Sequence, residues 1–151
     1  MTNKFLVSSL LLPLLGTLSA SLPVYGNTTS NLTVEVNGVS DRKGQICFSL
    51  FASSRGFPSS GDDAVQKQCV KITDTNPRIT INNLAPSTYA VAVFWDDNSD
   101  GQLNRNFLGV PTEKFGFSSN PVVRTGPPKF GESAILVTGK NVIISIKLQS
   151  I

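Results

Sequence analysis

Seven short segments of this chain alternate apolar and polar side chains with a period of two, the pattern of half-buried β-strands. In LTVEVNGV, Leu32, Val34 and Val36 share one face, and the polar residues between them share the other. The remaining segments are QICFSLF, QCVKIT, RITINNL, TYAVAVFW, ESAILVT and NVIISIKL. No convincing helical period occurs between them. The pattern predicts an all-β chain, a seven-stranded antiparallel β-sandwich of transthyretin-like or immunoglobulin-like type with one long ordered loop.

Two connections carry further local predictions. The segment TYAVAVFW is apolar on both faces, which places it at the centre of a sheet. Because Tyr89 begins that strand directly after the turn NNLAPS, its hydroxyl is expected to bond back to the backbone, as at the corner of a sandwich. The separator TGKN, from Thr138 to Asn141, has hairpin chemistry because Gly139 can adopt positive φ.

The first 26 residues have the layout of a secretory signal peptide: one basic residue, Lys4, then an apolar run and small or polar residues. Cleavage is expected after Gly26, with Ala20 as the alternative. The apolar run is shorter than the ~20 residues that span a bilayer, and no later stretch approaches that length. We therefore expect an exported, secreted or periplasmic protein without a transmembrane segment, in which residues 27–151 form a single domain.

The two cysteines lie at Cys47 and Cys69, both in the part expected to be exported. In an oxidising compartment an even pair is expected to form a disulfide, with two separate buried thiols as the alternative. In QICFSLF and in QCVKIT, each cysteine alternates away from the apolar set. The bridge is therefore predicted to join two strands on the outside of a sheet.

The chain contains no histidine and carries a formal net charge of +3. The absence of histidine excludes the usual Ser-His-Asp triads and most imidazole-bound catalytic metal sites. The basic residues are scattered and have no interleaved aromatic residues, so no nucleic-acid partner is expected. We expect a protein that is not an enzyme and has no catalytic residues.

The longest irregular stretch, from Asp96 to Phe130, is rich in glycine and proline and opens with the motif D-x-N-x-D-G. Side-chain oxygens at alternate positions followed by glycine match the first half of a calcium-binding loop. The twelfth position is Phe107 instead of the bidentate Glu of an EF-hand, and a strand precedes the motif where an EF-hand has a helix. A weak calcium loop remains, with expected ligands Asp96, Asn98, Asp100, Gln102, Asn104 and Glu113. The same residue types also build Asx turns without a metal, and the sequence leaves both interpretations open.

The same loop carries two further hypotheses. Asp97 and Glu113 could act as the carboxylates of a hydrolase or carbohydrate-active enzyme, which is the alternative to a non-catalytic role. Three aromatic residues, Phe107, Phe115 and Phe117, are expected to fold back over an open end of the sandwich. The alternative is that they form an exposed binding patch.

The segments YAVAVFWDDNSDGQLNRNFLGVPTEKFGFSSN and GPPKFGESAILV resemble the bacterial family of exported proteins numbered 2141 among the domains of unknown function. The resemblance extends from Asn31 to Leu148. Carried over by position, it selects Asp96, Asn98, Asp100, Gly101, Leu103, Asn106, Gly109, Pro111, Glu113, Gly116, Phe117, Ser118 and Asn120. Asn104 stands where this family usually has aspartate, which removes one carboxylate from the expected calcium ligands. The resemblance implies an exported sandwich and brings no established activity with it.

Together these observations predict an exported, non-catalytic binding or structural module of the cell envelope. Its expected partner is an envelope protein or a glycan, which the sequence does not identify further. Calcium is the only cofactor predicted, at the loop that begins with Asp96.

Overall fold

The computed structural model describes residues 28–151. The segment 1–26, predicted above to be a signal peptide, lies outside the described residues. In the part of the chain that is described, no helix has the length and apolar character needed to cross a bilayer.

Eight strands and one short helix make up residues 28–151. In chain order they are β1 (Ser30–Asn37), β2 (Gln45–Phe51), β3 (Gln66–Lys71), β4 (Arg78–Leu84), β5 (Ser87–Asp96), β6 (Phe115–Phe117), α1 (Phe130–Ser133), β7 (Ala134–Val137) and β8 (Asn141–Lys147). The seven strands predicted from alternation are all present, so the all-β prediction is confirmed. The additional strand, β6, has only three residues and lies inside the long loop, where no alternation could reveal it.

The strands form two sheets. One sheet has the order β4-β1-β8, and the other has the order β3-β2-β5-β6, with β7 also paired to β5. All strand pairs are antiparallel except β1 with β8, which is parallel. The wholly antiparallel prediction is therefore wrong at this one pair. The chain passes from β7 in one sheet to β8 in the other, where β8 lies beside β1 and runs in the same direction.

This crossing also changes the role predicted for TGKN. Gly139 adopts positive φ of 83°, as expected. The two strands that the turn joins lie in different sheets, so the segment is not a β-hairpin. The residue chemistry of a tight turn predicted the reversal of the chain but could not predict whether the two strands pair.

The core between the sheets contains the apolar residues that alternation assigned to it, including Leu32, Ile46, Leu50 and Val91, all fully buried. On β1, buried and half-buried residues alternate without exception. The Tyr89 hydroxyl donates a hydrogen bond of 2.9 Å to the Ala85 carbonyl oxygen. The predicted corner is therefore confirmed, and it positions the start of central strand β5.

The outer face of the five-stranded sheet is covered by a second apolar layer. Phe57, from the loop after β2, lies with its ring centroid 5.3 Å from Phe51, 6.0 Å from Phe117 and 5.9 Å from Phe130. Phe51 is fully buried although strand parity places it outside the main core. We call these four residues the outer aromatic layer.

Candidate functional site

The loop after β5 is organised by the side chain of Asp96, which is fully buried. Its Oδ2 accepts hydrogen bonds of 2.7 Å from the Gly101 backbone N–H and 2.7 Å from the Gln45 side-chain amide. Its Oδ1 accepts a hydrogen bond of 3.2 Å from the Asp100 backbone N–H. Gly101 has positive φ of 77°, the conformation that a glycine permits at this turn. Asp96 thus holds the loop closed through backbone N–H donors.

Asp100 lies on the exposed side of the same turn. Its Oδ2 accepts hydrogen bonds from the side-chain amides of Asn98, at 3.0 Å, and Asn104, at 3.1 Å. Its Oδ1 accepts one from the Gln102 backbone N–H at 2.8 Å. These donors stabilise the ionised carboxylate, so they lower the pKa of Asp100, and the Asn104 amide is the largest cause.

Glu113 connects the two ends of the loop. Its Oε1 accepts a hydrogen bond of 3.1 Å from the Asp97 backbone N–H, and its Oε2 accepts one of 2.9 Å from the Asn104 backbone N–H. The Asp97 carboxylate forms an ion pair of 3.2 Å with Lys43. Asp97 and Glu113 line one cleft of about 520 Å³, but both Glu113 oxygens are occupied by backbone donors. This geometry gives Glu113 a structural role in closing the loop.

The six residues predicted as calcium ligands occupy different surroundings. Asn98, Asp100 and Asn104 form the hydrogen-bonded cluster described above, while Asp96 and Glu113 accept from backbone donors on either side of it. Gln102 lines a separate groove. Within residues 28–151, the one group of three cysteine or acidic side chains with converging donor atoms is Cys47, Cys69 and Asp96. The two cysteines form the predicted disulfide, so that group is not a metal site.

The disulfide joins Cys47 on β2 to Cys69 on β3, which are direct partners in the antiparallel register. Strand parity places both on the outer face of the five-stranded sheet, so the predicted position is confirmed. Cys47 is only 3 % exposed because the loop after β5 lies over that face.

A tight turn in the middle of the long loop carries an exposed apolar tip. The Asn106 side-chain oxygen accepts hydrogen bonds of 3.0 Å from the backbone N–H groups of Leu108 and Val110. Phe107 is 95 % exposed and Leu108 72 % exposed. The prediction that Phe107 folds back over the sandwich is therefore wrong, because the Asn106 bonds direct this turn into solvent.

The segment after the turn packs onto the sheet. Phe115 and Phe117 are buried, as expected, but they cover the outer face of the five-stranded sheet and not an open end of the sandwich. Gly116 between them faces the other way, where an added Cβ would lie 2.7 Å from Ile146 Cγ2 and 2.9 Å from the Lys147 carbonyl oxygen. A glycine is therefore required for β6 to approach β8 this closely.

After β6, the side chains of Ser118 and Asn120 form hydrogen bonds with backbone groups of neighbouring segments. The Ser118 hydroxyl accepts a hydrogen bond of 2.9 Å from the Val91 N–H and donates one to the Ser133 carbonyl oxygen. The Asn120 side chain accepts a 2.7 Å hydrogen bond from the Lys147 N–H and donates one of 2.9 Å to the Ser145 carbonyl oxygen. These contacts explain why a serine and an asparagine follow β6.

A groove of about 1090 Å³ lies over the outer face of the five-stranded sheet. Its floor contains the disulfide, Ser49, Ala92 and Phe94. One wall is the loop after β5, through residues 101–103, 105 and 109–111, and segments 58–61 and 126–127 also line it. We call this feature the outer groove.

The sequence analysis did not predict the outer groove. Its walls come from three segments far apart in the chain, and no local pattern indicates that they meet over one sheet face. The sequence does contain one indication that this sheet face is covered, because the outward positions of β2 and β5 are too apolar for a face exposed to water. These positions are Cys47, Phe51, Ala90, Ala92 and Phe94.

The sequence matches the family described as "Uncharacterized protein conserved in bacteria (DUF2141)" over residues 34–145. No curated protein and no solved structure shows significant similarity to the chain. The matched region runs from β1 into β8 and includes the loop after β5, β6 and almost the whole lining of the outer groove. With most of its length matched, this chain belongs to that bacterial family.

Proposed function

We propose that this protein is an exported, non-catalytic binding module of the cell envelope and that its ligand lies in the outer groove. The observation that carries the proposal is the groove itself, whose volume of about 1090 Å³ reaches the upper end of the range of ligand pockets. A floor on sheet strands joined by a disulfide is a rigid base for such a site.

The surroundings of the carboxylates support a non-catalytic role. Asp97 is paired with Lys43, and both oxygens of Glu113 accept backbone hydrogen bonds. A general acid or base needs an oxygen that can reach a substrate, and these bonds occupy the oxygens of Glu113. The lack of histidine throughout the chain points in the same direction.

Chemical-shift mapping tests the proposal. Titrating the ¹⁵N-labelled protein with the low-molecular-mass fraction of an envelope extract should shift amides in residues 92–94, 101–103 and 109–111. Ser49→Trp should abolish those shifts, because Ser49 lies on the groove floor between Lys67 and Ala92 and its replacement fills the groove. Ala92→Leu serves as a second, smaller filling variant.

The matched control is Ile143→Trp, a substitution at a 65 % exposed position on the other sheet. It should leave the shifts unchanged. Shifts confined to residues outside the groove, or shifts that survive both filling variants, would contradict the proposal.

Export is tested separately by determining the N-terminus of the protein recovered from the envelope. Cleavage after Gly26 predicts a mature chain that begins at Asn27, and the alternative predicts a start at Ser21. An intact Met1 in the cytoplasmic fraction would contradict export.

The calcium hypothesis is proposed in a narrower form, centred on Asn98, Asp100 and Asn104. The two amides now direct nitrogen at the Asp100 carboxylate, and the Asn98 side-chain carbonyl oxygen accepts a hydrogen bond of 3.2 Å from the Asp100 N–H. Rotating each amide by half a turn would direct its carbonyl oxygen at the carboxylate instead, and calcium would have to compensate for the loss of the hydrogen bond from the Asp100 N–H. Three side-chain oxygens would then converge, and Asp96 and Glu113 would position the loop without being ligands. With a single carboxylate the expected dissociation constant is about 10⁻³ M.

Calcium at about ten times that dissociation constant should stabilise the protein by about 1.4 kcal/mol, measured as a rise in Tm against a magnesium control. Asp100→Asn should remove the rise. An equal rise in Asp100→Asn, or no rise in the unaltered protein, would contradict calcium binding at this cluster.

A further inference from the structure

We propose that the outer groove binds a single-chain anionic amphiphile, of which a long-chain carboxylate is the representative. This inference rests on the proposed function, since it names the ligand class of the same groove. Three properties of the groove carry it: the sign of its charges, the character of its floor, and the exposed tip beside it.

The charged side chains that line the groove, Lys67 and Arg105, are both basic. Lys67 is paired at 3.1 Å with Asp62, but both side chains are largely exposed, so water screens that pair. The Arg105 Nη1 donates a 2.9 Å hydrogen bond to the Gly109 carbonyl oxygen. Among the described residues, no carboxylate lies within ion-pair distance of Arg105. Its remaining N–H groups can therefore bind an anionic head group in bidentate fashion.

The floor of the groove is mainly apolar and has the width of several strands. Phe94 and Phe115 are register partners and lie beside the disulfide, with Ala92 in the next row. Leu103, Val110 and Pro111 continue this apolar surface up one wall. Ligand sites of this kind combine an apolar lining with a few polar groups that fix orientation. An acyl chain along the floor with its carboxylate at Arg105 matches both parts.

The exposed tip, formed by Phe107 and Leu108, is suited to contact with a bilayer, which is one source of such a ligand. Phe107 and Leu108 follow Arg105 after one intervening residue, Asn106, whose side chain holds the turn on which they stand. An apolar pair next to a cation is suited to the interface of a bilayer, where rings and alkyl groups enter the acyl boundary and a cation meets anionic head groups. The tip and the groove rim share this loop, so contact with a bilayer would place the groove opening beside the amphiphiles.

Calorimetric titration with laurate below its micellar concentration tests the ligand class. Decanoate, which is shorter by two methylenes, should bind about fifteenfold more weakly, since each buried methylene changes the dissociation constant by about fourfold. Dodecyltrimethylammonium has the same chain length and the opposite charge, so it should bind at least about tenfold more weakly than laurate.

Variants locate the head group and the chain. Arg105→Gln should weaken laurate binding by about tenfold or more, and Arg105→Lys should give an intermediate value. Arg42→Gln, a change at an exposed arginine outside the groove, should leave binding unchanged. Ser49→Trp and Ala92→Leu should each weaken binding of laurate.

Transfer from vesicles of phosphatidylcholine loaded with laurate distinguishes the bilayer from free solution as the source. Phe107→Ser with Leu108→Ser should slow transfer from vesicles by several fold and leave the calorimetric dissociation constant unchanged. Equal transfer rates in both proteins would assign the ligand to free solution and overturn the role of the tip.

Equal affinity for laurate and dodecyltrimethylammonium would overturn the proposed ligand class. So would laurate binding that persists unchanged in Arg105→Gln and in both filling variants. If a neutral oligosaccharide shifts the groove amides and Ser49→Trp removes those shifts, the proposed function stands and this inference fails. If no ligand of any class shifts them, both fail.

Discussion

The five-stranded sheet carries a different layer on each face. The inner layer, shared with the three-stranded sheet, is built mainly from aliphatic side chains at alternate positions of the strands, such as Leu50 and Val91. The outer aromatic layer consists of Phe51, Phe57, Phe117 and Phe130, which come from two strands, a loop and the short helix. Leu50 and Phe51 are adjacent and both fully buried, yet they belong to different layers. Alternation along a strand predicts the first layer, whereas the second depends on how loops fold over the sheet.

The largest expected effect tests the inner layer. Leu50→Ala should reduce the free energy of unfolding by about 4 kcal/mol, because it removes buried methyl groups and leaves a cavity in a packed core. Urea denaturation measures the change. Ile143→Ala, at a position 65 % exposed, should change the free energy by less than about 0.5 kcal/mol. Similar losses in the two variants would contradict the assignment of Leu50 to the core.

The second prediction tests the outer face through its disulfide. The Cys47→Ala, Cys69→Ala double variant should lose about 3 kcal/mol, since the bridge closes a loop between residues separated by 22 positions. Urea denaturation of the double variant measures the loss. In the unaltered protein, thiol labelling without reductant should detect no free cysteine. Labelling of two thiols would contradict the presence of a disulfide in the floor of the groove.

The third prediction concerns Gly116, which lies between two residues of the outer face and itself faces β8. Gly116→Ala should cost about 1 to 3 kcal/mol, because the new Cβ would overlap the Lys147 carbonyl oxygen and the Ile146 side chain. Gly131→Ala is the matched control, since nothing lies within 4 Å of an added Cβ there. Thermal unfolding of both variants compares them. A cost no greater than that of the control would show that β6 can move away from β8 without penalty.

The smallest expected effect is electrostatic and belongs to the loop at the edge of the outer face. Hydrogen bonds lower the pKa of Asp100, so its contribution to stability is present above the pKa of the unfolded chain and is lost as pH falls through the folded pKa. Asn104→Ala should raise the pKa of Asp100 towards its ordinary value, because the Asn104 amide is its largest stabilising donor. The pKa of Asp100 in each variant is measured by NMR, from the pH dependence of its carboxyl ¹³C shift. Asn141→Ala is the control, and equal pKa values in the two variants would contradict the role of Asn104.

The difference between the layers also explains what could be predicted from the sequence. Seven strands, the parity of Cys47 and Cys69 and the corner at Tyr89 follow from local periodicity and local chemistry. The parallel pairing of β1 with β8 could not be predicted, because period-two alternation contains no information about which strands meet.

At the loop, the sequence indicated the residues but not their roles. The oxygens of Asp96 and Glu113 could serve equally as metal ligands or as acceptors for backbone N–H groups, and the structure gives them N–H partners. The exposure of Phe107 depends on two hydrogen bonds to Asn106, which alternation of ring residues does not reveal. The outer groove has no local signature, because its walls meet only in three dimensions.

The side chain of Asn120 has a consequence for solubility. Strand β8 is an edge strand of the three-stranded sheet, and edge strands are the places where a second chain can add and start aggregation. Asn120 occupies the Lys147 N–H and the Ser145 carbonyl, which an incoming strand would need for pairing. A single amide therefore blocks strand addition at the C-terminal end of this edge.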